Sequence, residues 1–489
     1  MASLEELKEN RLQKISKLRE KGINPYPIKS NRDFELSEVI KKFTALEKKK
    51  SITIAGRIMA IRVQGGLAFC DLNDGTGVFQ GLVKKDETGD EIFDLFTETV
   101  DIGDFVELTG SLFVSKRGEK TLLAKKWTML SKSLLPLPEK WHGLSDVEER
   151  FRKRYLDLIA SPEVKSRFIL RSTIVRELRK LFDKEGFIEV ETSILQSIAG
   201  GANAMPFKTR HNALDIDMYL RIAQEIDLKK LLVGGLPKIY ELGRNFRNEG
   251  IDATHNPEFT TIEWYEAYSD AEKQRDFVEK IFRTIVKKVS GKTEFDFDGN
   301  IIDVKKKFSV VTYFDLLRRF ALLNSPDKAS REELSLAASR LGVKVENGDS
   351  REKILDSIYK KTCRPKIIQP TFIVDYPSNM LPLAKKKTET GDIVDAFQLV
   401  VGGMELVKAF SELNDPIDQR NRFAQQEKDR EAGDKEAQAT DQTFLDALEH
   451  GMPPSGGVGL SIDRTTMLLG NVKNIREVIL FPTLRPKKE

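Results

Sequence analysis

Charged and aromatic side chains share one face of a predicted strand, in the segment FTTIEWY that begins at Phe259. Successive side chains of a β-strand point to opposite faces, so Phe259, Glu263 and Tyr265 lie on one face and Ile262 and Trp264 on the other. A carboxylate therefore lies between two aromatic rings. The pattern alone fits either a ligand-binding face or a half-exposed hairpin whose outer face is simply polar.

A second segment, FQLVVGGMELVKAFSELN from Phe397 onward, repeats this combination. Strand parity places Lys408, Phe410 and Glu412 on one face, which again brings together a charge, an aromatic ring and a carboxylate. Simple alternation places Glu405 on the opposite face. A β-bulge is needed if Glu405 is to join the same site, and the sequence leaves this question open.

Two further segments carry polar residues or glycines at defined spacing. Arg247 and Glu249 in FRNE share a strand parity, and a polar loop follows them as far as Pro257. The segment GGVGLSIDR from Gly456 predicts a strand that leads into a helix near Asp463. It lacks the third glycine of GxGxxG and the final GK[ST] of a P-loop, so it supports neither a dinucleotide site nor a Walker site. Glycines in a strand indicate close approach of a ligand or of another backbone.

Short β runs dominate the chain between residues 51 and 130. Five such strands are typical of a small barrel such as an OB-fold, although a generic β module fits the same pattern. A charged surface helix is predicted before them, within residues 1–23. The five runs cover residues 52–63, 66–72, 78–83, 105–114 and 121–130.

The rest of the chain alternates strands with helices. Residues 167–185 form an amphipathic pattern that ends at Gly186, which predicts a helix with a glycine stop. A Lys/Glu-rich, mostly helical stretch at about 303–368 is interpreted as an insertion within a larger domain.

Composition narrows the classes of protein that remain. The 489 residues suggest about three domains, and 40% hydrophobic with 32% charged residues is a globular composition. A net charge of +4 does not by itself indicate a nucleic-acid partner. Two cysteines and four histidines, all far apart, exclude a disulfide framework and a zinc site with CxxC or HExxH spacing. No stretch approaches the roughly 20 apolar residues of a membrane span, so we expect a cytoplasmic protein.

Taken together and in order, these segments resemble the three signature motifs of the class II aminoacyl-tRNA synthetases. Motif 1 corresponds to GFIEVET from Gly186, motif 2 to FRNE with HNPEF, and motif 3 to residues 457–464. The similarity to the bacterial-type lysyl-tRNA synthetases extends over nearly the whole chain. Further shared segments are RFRKRYLDL, GGA, MYLRIA and FSELNDP.

The resemblance implies an α+β fold. An amino-terminal OB-fold β-barrel that binds the anticodon would precede a class II synthetase antiparallel sheet flanked by helices. The corresponding domains are an amino-terminal helical extension at 1–48, the OB-fold at 49–137, a linker at 138–160, and a catalytic domain at 161–489 that contains the helical insertion.

The resemblance also implies an activity. L-lysine and ATP would give lysyl-adenylate and pyrophosphate, and the lysyl group would move to the 3′ end of tRNA(Lys). Attack of the lysine carboxylate on the α-phosphate joins two anions, so the site must neutralise and align them rather than supply a covalent nucleophile. The family's cofactor is Mg²⁺, ATP is the co-substrate, and motif 1 would form the interface of a homodimer. We expect no membrane partner.

The family's nucleotide-binding positions map onto this sequence residue by residue. By resemblance Arg247 and Arg464 are the catalytic arginines. Arg247 would bridge the α-phosphate and the substrate carboxylate, and Arg464 would lie above an adenine stacked on Phe259. The remaining positions are Glu249 for the adenine amine, His255 and Asn256 for the phosphate tail, and Glu405 with Gln398 for Mg²⁺.

Three carboxylates near an amino-acid site indicate a substrate with two ammonium groups, and lysine has two. By resemblance Glu225, Glu263 and the backbone of Gly201 hold the α-ammonium group. The ε-ammonium group and the aliphatic stem would be bound by Glu412 and Tyr265 and by Phe410, respectively.

In the predicted barrel, three residues match positions at which the family reads the anticodon: Arg62, Phe69 and Gln80. Stacking on aromatic rings together with hydrogen bonds to base edges is how OB-folds bind single-stranded bases.

The sequence departs from the family at four positions. Ser193 stands where motif 1 ends in proline, and Ser461 where motif 3 has a glycine. Gln398 replaces the second Mg²⁺ carboxylate, and Lys408 replaces an asparagine beside the substrate carboxylate. Two hypotheses for Lys408 follow: its ammonium group neutralises Glu263 or Glu412, or it binds the substrate carboxylate. We favour the first, because Arg247 already serves that carboxylate.

Two other functions remain open. An aspartyl- or asparaginyl-tRNA synthetase shares the architecture but needs a cationic or amide partner in place of Glu412 and Glu263. A catalytically weakened or inactive paralogue that acts as a binding protein fits Gln398 and Lys408.

Overall fold

The computed structural model describes residues 3–138, 146–346, 348–431 and 439–487. The chain divides into two compact units, Met1–Gly143 and Leu144–Glu489. Part of the predicted linker at 138–160 lies outside the described residues, and its described carboxyl-terminal part is helical.

The first unit is a closed five-stranded barrel with the strand order β1-β2-β3-β5-β4. Its interior is filled by alternate apolar residues of every strand, such as Ile54, Leu72 and Leu108, all fully buried. Gly110 is required where two strands cross closely, because a Cβ there would lie 1.8 Å from the carbonyl oxygen of Leu123. The strands are β1 Ile52–Gln64, β2 Leu67–Asn73, β3 Val78–Lys84, β4 Phe105–Val114 and β5 Lys120–Ser131.

The five predicted β runs are therefore confirmed to within a few residues, as is the amino-terminal helix. Three helices precede the barrel and two connect β3 to β4. These helices are α1 Leu4–Glu20, α2 Leu36–Lys41, α3 Phe43–Leu46, α4 Lys85–Thr88 and α5 Asp90–Thr99.

The second unit is built on an eight-stranded sheet with the order β14-β15-β16-β17-β18-β11-β10-β6. Neighbouring strands are antiparallel except for the two outermost pairs, β14 with β15 and β10 with β6. The strands of this unit are β6 Ile188–Glu189, β7 Leu195–Gln196, β8 Lys208–His211, β9 Ile216–Leu220, β10 Lys238–Phe246, β11 Glu258–Ala267, β12 Glu294–Phe297, β13 Asn300–Asp303, β14 Ser309–Thr312, β15 Thr371–Val374, β16 Ala396–Val401, β17 Met404–Ser411 and β18 Ser455–Ser461.

Helices cover the sheet because both of its faces carry apolar residues. One face, with Trp264 and Val458, packs against two long helices, α8 and α10. The α-helices of this unit are α6 Val147–Arg152, α7 Arg154–Ala160, α8 Pro162–Lys184, α9 Glu225–Val233, α10 Ala271–Ser290, α11 Tyr313–Phe320, α12 Arg331–Arg340, α13 Arg351–Ile358, α14 Pro416–Glu431, α15 Gln442–Glu449 and α16 Ile462–Leu469. Short turns of other helix types cover Tyr359–Cys363, Arg364–Lys366, Ser378–Met380 and Ile475–Glu477.

The amphipathic helix predicted over 167–185 is observed as α8, which begins earlier because Pro162 occupies a first-turn position. The stretch at 303–368 is mostly helical in its described residues, as predicted. It is not wholly separate from the sheet, however, because β14 pairs with β15 at the sheet's edge. Among the described helices, none is long and apolar enough to cross a membrane.

Candidate active site

One transverse row of side chains crosses the middle of the large sheet on the face opposite Trp264. Direct cross-strand partners run from Gln398 to Lys408, Gly459 and Glu263, one residue from each of the strands β16, β17, β18 and β11. Direct partners share a face. The parity predicted for Glu263 and Lys408 is thus observed. Gly459, which lies between them, has no side chain, so the two residues are separated by two strand spacings, about 10 Å.

The next row contains the aromatic residues of the site. Phe410 lies opposite Gly457, which lies opposite Tyr265. A Cβ at Gly457 would lie 1.9 Å from Oε1 of Glu412 and 2.4 Å from Cε1 of Tyr265. Glycine is therefore required here by the close approach of two site side chains, as the glycines of this strand indicated in the sequence.

The register of β16 and β17 shifts between Leu399 and Val400, so that Val400 pairs with Glu405 although Leu399 pairs with Val407. The extra residue is Leu406, which is buried in the core. This bulge turns Glu405 to the face that carries Gln398 and Lys408. The question left open by the sequence is settled: Glu405 belongs to the same face.

A buried lysine, which the sequence reasoning missed, lies among the pocket carboxylates. Nζ of Lys229 is 2.6 Å from Oε1 of Glu225 and 2.5 Å from Oε2 of Glu412, and its side chain is fully buried. It also lies 5.4 Å from the ring centre of Phe410. Glu225 is the first residue of α9, so its spacing of four residues from Lys229, which suits an ion pair on one face of a helix, was the one signal available in the sequence.

Lys229 corrects the favoured hypothesis for Lys408. The ion pair to Glu412 comes from Lys229, and Lys408 makes no ion pair within 4 Å with any described residue. Oε2 of Glu412 is held by Lys229, whereas the buried Oε1 has no hydrogen-bond partner among the described residues. Oε1 remains available to a donor group of a ligand.

The carboxylates of this pocket are held in a low-dielectric environment. Burial, together with the charge of Glu225, raises the pKa of Glu263 to about 7. Burial raises the pKa of Glu412 to about 8 despite the neighbouring Lys229. Burial and these carboxylates also raise the pKa of Tyr265, which keeps its hydroxyl protonated. The pocket is thus suited to an ammonium ligand, whose charge restores the ionised form of both carboxyl groups.

Gly201 closes the pocket beside Glu225. Its φ of +88° belongs to the left-handed region that favours glycine, and a Cβ there would lie 3.1 Å from Cβ of Ala223 and 3.2 Å from Cβ of Glu225. The predicted lysine-binding residues Gly201, Glu225, Glu263, Tyr265, Phe410 and Glu412 therefore line one pocket, and Lys408 lies at its rim.

Arg247 lies just beyond the end of β10, so it is held by a loop rather than by a strand. Its guanidinium carbon is 5.0 Å from the ring centre of Phe259. The group also donates weakly to the carbonyl oxygen of Ile222, at 3.4 Å from Nε. Oε1 of the exposed Glu249, in the same loop, lies 3.4 Å from the backbone nitrogen of Met205.

Arg464, in the first turn of α16, joins the motif 2 loop to β17. Its Nη1 donates to the carbonyl oxygen of Glu405 at 3.0 Å, and its Nη2 lies 3.1 Å from Nε2 of His255. Nδ1 of His255 faces Asp252 at 2.8 Å. Asn256 does not join these contacts. Its Nδ2 donates to the carbonyl oxygen of Glu258 at 2.7 Å, a hydrogen bond within its own loop.

The residues predicted to hold Mg²⁺ supply one carboxylate, Glu405, and one neutral amide, Gln398. Burial would raise the pKa of Glu405, but the positive charges of Arg464, Lys408, Arg364 and Lys360 outweigh it and lower the pKa. Among the described residues, no group of three or more metal-binding side chains is present. This set does not fit a divalent ion held by the protein, since cations already surround its one carboxylate.

In the barrel, the three predicted anticodon residues share one face. Arg62 lies directly opposite Phe69, and Gln80 lies opposite Asp71, which has the parity of Phe69. Nη2 of Arg62 is 3.5 Å from Asp71, and Gln80 accepts a hydrogen bond from Thr121 at 2.9 Å. Arg62 is exposed and Phe69 half-buried, so a ring and a guanidinium group are presented together.

Comparisons with known proteins agree with this architecture. Residues 146–485 match the family of tRNA synthetases class II (D, K and N), and residues 52–130 match the OB-fold nucleic acid binding domain.

Among curated relatives, a lysine–tRNA ligase of Moorella thermoacetica is 47% identical over 98% of both chains. Proteins of the same name from Syntrophomonas wolfei and Roseiflexus castenholzii are 46% and 45% identical, and the alignments cover 99% of this chain and 98% and 100% of theirs. The α+β fold with an OB-fold barrel and a helix-flanked antiparallel sheet is thereby confirmed, and the chain belongs to the class II tRNA synthetases (D, K and N), together with relatives named lysine–tRNA ligase.

Proposed function

We propose that the protein is a lysine–tRNA ligase, which activates L-lysine with ATP and transfers the lysyl group to the 3′ end of tRNA(Lys). The observation that carries this proposal is a group of three buried carboxylates, in which Glu225 and Glu412 bind the buried ammonium group of Lys229 and the charge of Glu225 also acts on Glu263. Lys229 balances one of the three carboxylate charges. Two negative charges remain for the two ammonium groups of the substrate.

In this proposal, Glu263 and Glu225 bind the α-ammonium group beside the backbone of Gly201. Glu412 and Tyr265 bind the ε-ammonium group, and Phe410 covers the aliphatic stem. An aspartate or asparagine side chain would place an anion or a neutral amide against the buried carboxylate of Glu412, whose Oε1 has no hydrogen-bond partner among the described residues. The pocket therefore disfavours these two amino acids.

Activation requires the lysine carboxylate to attack the α-phosphate of ATP while pyrophosphate leaves. Arg247 can bridge the two anions with its fork of N–H groups, which offsets their repulsion and aligns them. Phe259 offers a stacking surface for adenine, and Glu249 an acceptor for its amine. Arg464 extends the cationic surface along the phosphates, and His255 contacts its guanidinium group. The 3′ hydroxyl group of tRNA then attacks the carbonyl carbon of the adenylate, and AMP leaves.

Mg²⁺ enters this proposal as the counter-ion of ATP in solution. Glu405 and Gln398 were the expected ligands, but a single carboxylate among cations does not support a resident ion. Glu405 instead fixes Arg464, whose Nη1 donates to its backbone oxygen.

The barrel, residues 49–137, is proposed as the anticodon-binding domain, and residues 161–489 as the catalytic domain. Phe69 would stack on a base while Arg62 and Gln80 read base edges. A chain with one domain for the anticodon and another for catalysis suits a cytoplasmic enzyme of translation.

We also propose a homodimer. The two-residue strand β6 is the outermost strand of the large sheet, and its Ile188 is 49% exposed. Ile169 on α8 is 56% exposed. An apolar edge of this kind is suited to a twofold interface. Light scattering should give about twice the chain mass of 55.6 kDa, and a monomer that still activates lysine would contradict the assignment.

Pyrophosphate exchange tests the proposed activity. Labelled pyrophosphate should enter ATP in the presence of lysine but not of aspartate or asparagine. Exchange with either of these two would indicate the corresponding synthetase. The inactive-paralogue alternative, which Gln398 and Lys408 favour, predicts lysine binding by calorimetry without exchange.

A further inference from the structure

Lys408 is an unusual residue at the centre of the candidate site. Its two direct cross-strand partners are a neutral amide, Gln398, and a glycine, Gly459. It makes no ion pair within 4 Å with any described residue, and its side chain is exposed. An exposed ammonium group without an ion-pair partner has its charge available to a ligand.

A second cation that acts on Glu405 is Arg364. Its Nε is buried and has no hydrogen-bond partner among the described residues. Its charge acts on both Glu405 and Arg464. A buried donor left unpaired is destabilising, so its presence points to a ligand that pairs it.

Lys408, Arg364 and Arg464 all act on the carboxylate of Glu405, and none of the three makes an ion pair within 4 Å with any described residue. The charges of Glu225 and Asp356 also act on Lys408, but without direct contact. Lys360 differs, because it pairs with Asp356 at 2.6 Å. Neighbouring cations without ion-pair partners are suited to a multiply charged anion. Lys408 and Arg364 together carry two positive charges, the charge of one divalent metal ion.

We propose that Lys408 and Arg364 bind the β- and γ-phosphates of ATP directly and supply the positive charge that a protein-held divalent ion would otherwise supply. This inference rests on the proposed function, because it assumes that ATP is the nucleotide of this cleft. Gln398 is consistent with it: a carboxylate at that position would pair with Lys408 across the strands and remove the charge.

Nucleotide affinities in the presence of EDTA test the proposal. The wild-type protein should bind metal-free ATP within about tenfold of its affinity for Mg²⁺–ATP. Lys408→Met and Arg364→Met should each weaken ATP binding by about ten- to a hundredfold, the loss expected for one charge-assisted hydrogen bond. AMP lacks the β- and γ-phosphates, so its affinity should change less than about twofold in both variants.

Lys360→Met is the matched control. It also removes one positive charge near Glu405, but Lys360 is already paired with Asp356. Its affinity for ATP should stay within about twofold of wild type. Equal weakening of AMP and ATP by Lys408→Met, or ATP binding that depends wholly on the metal, would overturn the proposal.

A second experiment tests whether substitutions can restore a metal site. The double variant Q398E/K408N should bind Mn²⁺ in the absence of nucleotide, as followed by the loss of the free-ion EPR signal, whereas the wild-type protein should not. Mn²⁺ binding by the wild-type protein would contradict the proposal. Lysine binding, measured by calorimetry, tests the proposed function separately. If lysine binds but the phosphate-binding predictions fail, only the proposal for Lys408 and Arg364 is wrong.

Discussion

The ammonium group of Lys229 bridges Glu225 and Glu412 in a space from which water is excluded. Burial disfavours its charge, but the two carboxylates outweigh burial and raise its pKa. Removing one partner of a buried ion pair leaves an uncompensated charge, at a cost of about 3–5 kcal/mol. Lys229 therefore holds the pocket together as well as setting its charge.

Lys229→Met should lower the free energy of unfolding by about 3–5 kcal/mol at pH 8, as measured by urea denaturation. The deficit should shrink toward pH 5. Loss of Lys229 raises the pKa of Glu412 further, because Lys229 lowers it in the wild-type protein. The folded variant therefore takes up a proton at Glu412 before the unfolded chain does, and this contribution is lost as the pH rises through the folded pKa. Lys230→Met, which removes a half-exposed neighbour, should cost less than about 1 kcal/mol. Equal losses in the two variants would refute the role of Lys229.

The pH dependence of lysine binding should reflect Glu263. Its raised pKa of about 7 means that the empty pocket holds a proton there below this pH, and lysine must displace it. Glu412, with a pKa of about 8, must also lose a proton, so affinity should fall by up to about a hundredfold per pH unit as the pH decreases below 7, tenfold for each carboxyl group. Glu263→Gln should bind lysine more weakly and should retain only the dependence due to Glu412, up to about tenfold per pH unit. Calorimetry in buffers of different ionisation enthalpy measures the proton release directly.

At the scale of elements, much could be predicted from the sequence. Period-two alternation placed Glu263 and Tyr265 together and Trp264 opposite, because side-chain parity in a strand is a local property. The bulge at Leu406 could not be derived, since it depends on how β16 and β17 align. Lys229 was missed for a related reason: only the packing of α9 against β11 brings it to Glu412, which lies 183 positions later in the chain.

The strand β18 gives the element-scale prediction, because two of its glycines differ in what surrounds them. A Cβ at Gly457 would overlap Glu412 and Tyr265, whereas a Cβ at Gly459 would meet Cγ of Glu263 at 3.6 Å, an ordinary contact. Gly457→Ala should destabilise the protein by about 1–3 kcal/mol and weaken lysine binding. Gly459→Ala should change the free energy of unfolding by less than about 0.5 kcal/mol. Thermal unfolding of both variants tests this difference.

At the scale of the whole molecule, the chain combines two compact units with separate chemistry. The barrel presents Phe69 and Arg62 on one face, and the second unit carries the lysine pocket together with Arg247 in the loop after β10. Amino-acid activation needs only lysine and ATP, whereas charging also needs the tRNA. Substitutions in the two units should therefore affect different partial reactions.

Arg247→Ala should abolish pyrophosphate exchange and leave tRNA binding intact, because the guanidinium group meets charge that develops at the α-phosphate during attack.

Phe69→Ala should do the opposite: it should weaken charging of tRNA(Lys) by about 1–3 kcal/mol, the loss expected for one stacked base, and spare exchange. Val63→Ala is the control within the barrel, because Val63 is exposed but has the opposite parity to Arg62 on β1 and should affect neither reaction. Exchange and charging rates measured on the same three preparations decide the outcome. If Phe69→Ala lowered exchange as much as charging, or if Arg247→Ala retained exchange within about tenfold of wild type, the division of labour between the two units would be wrong.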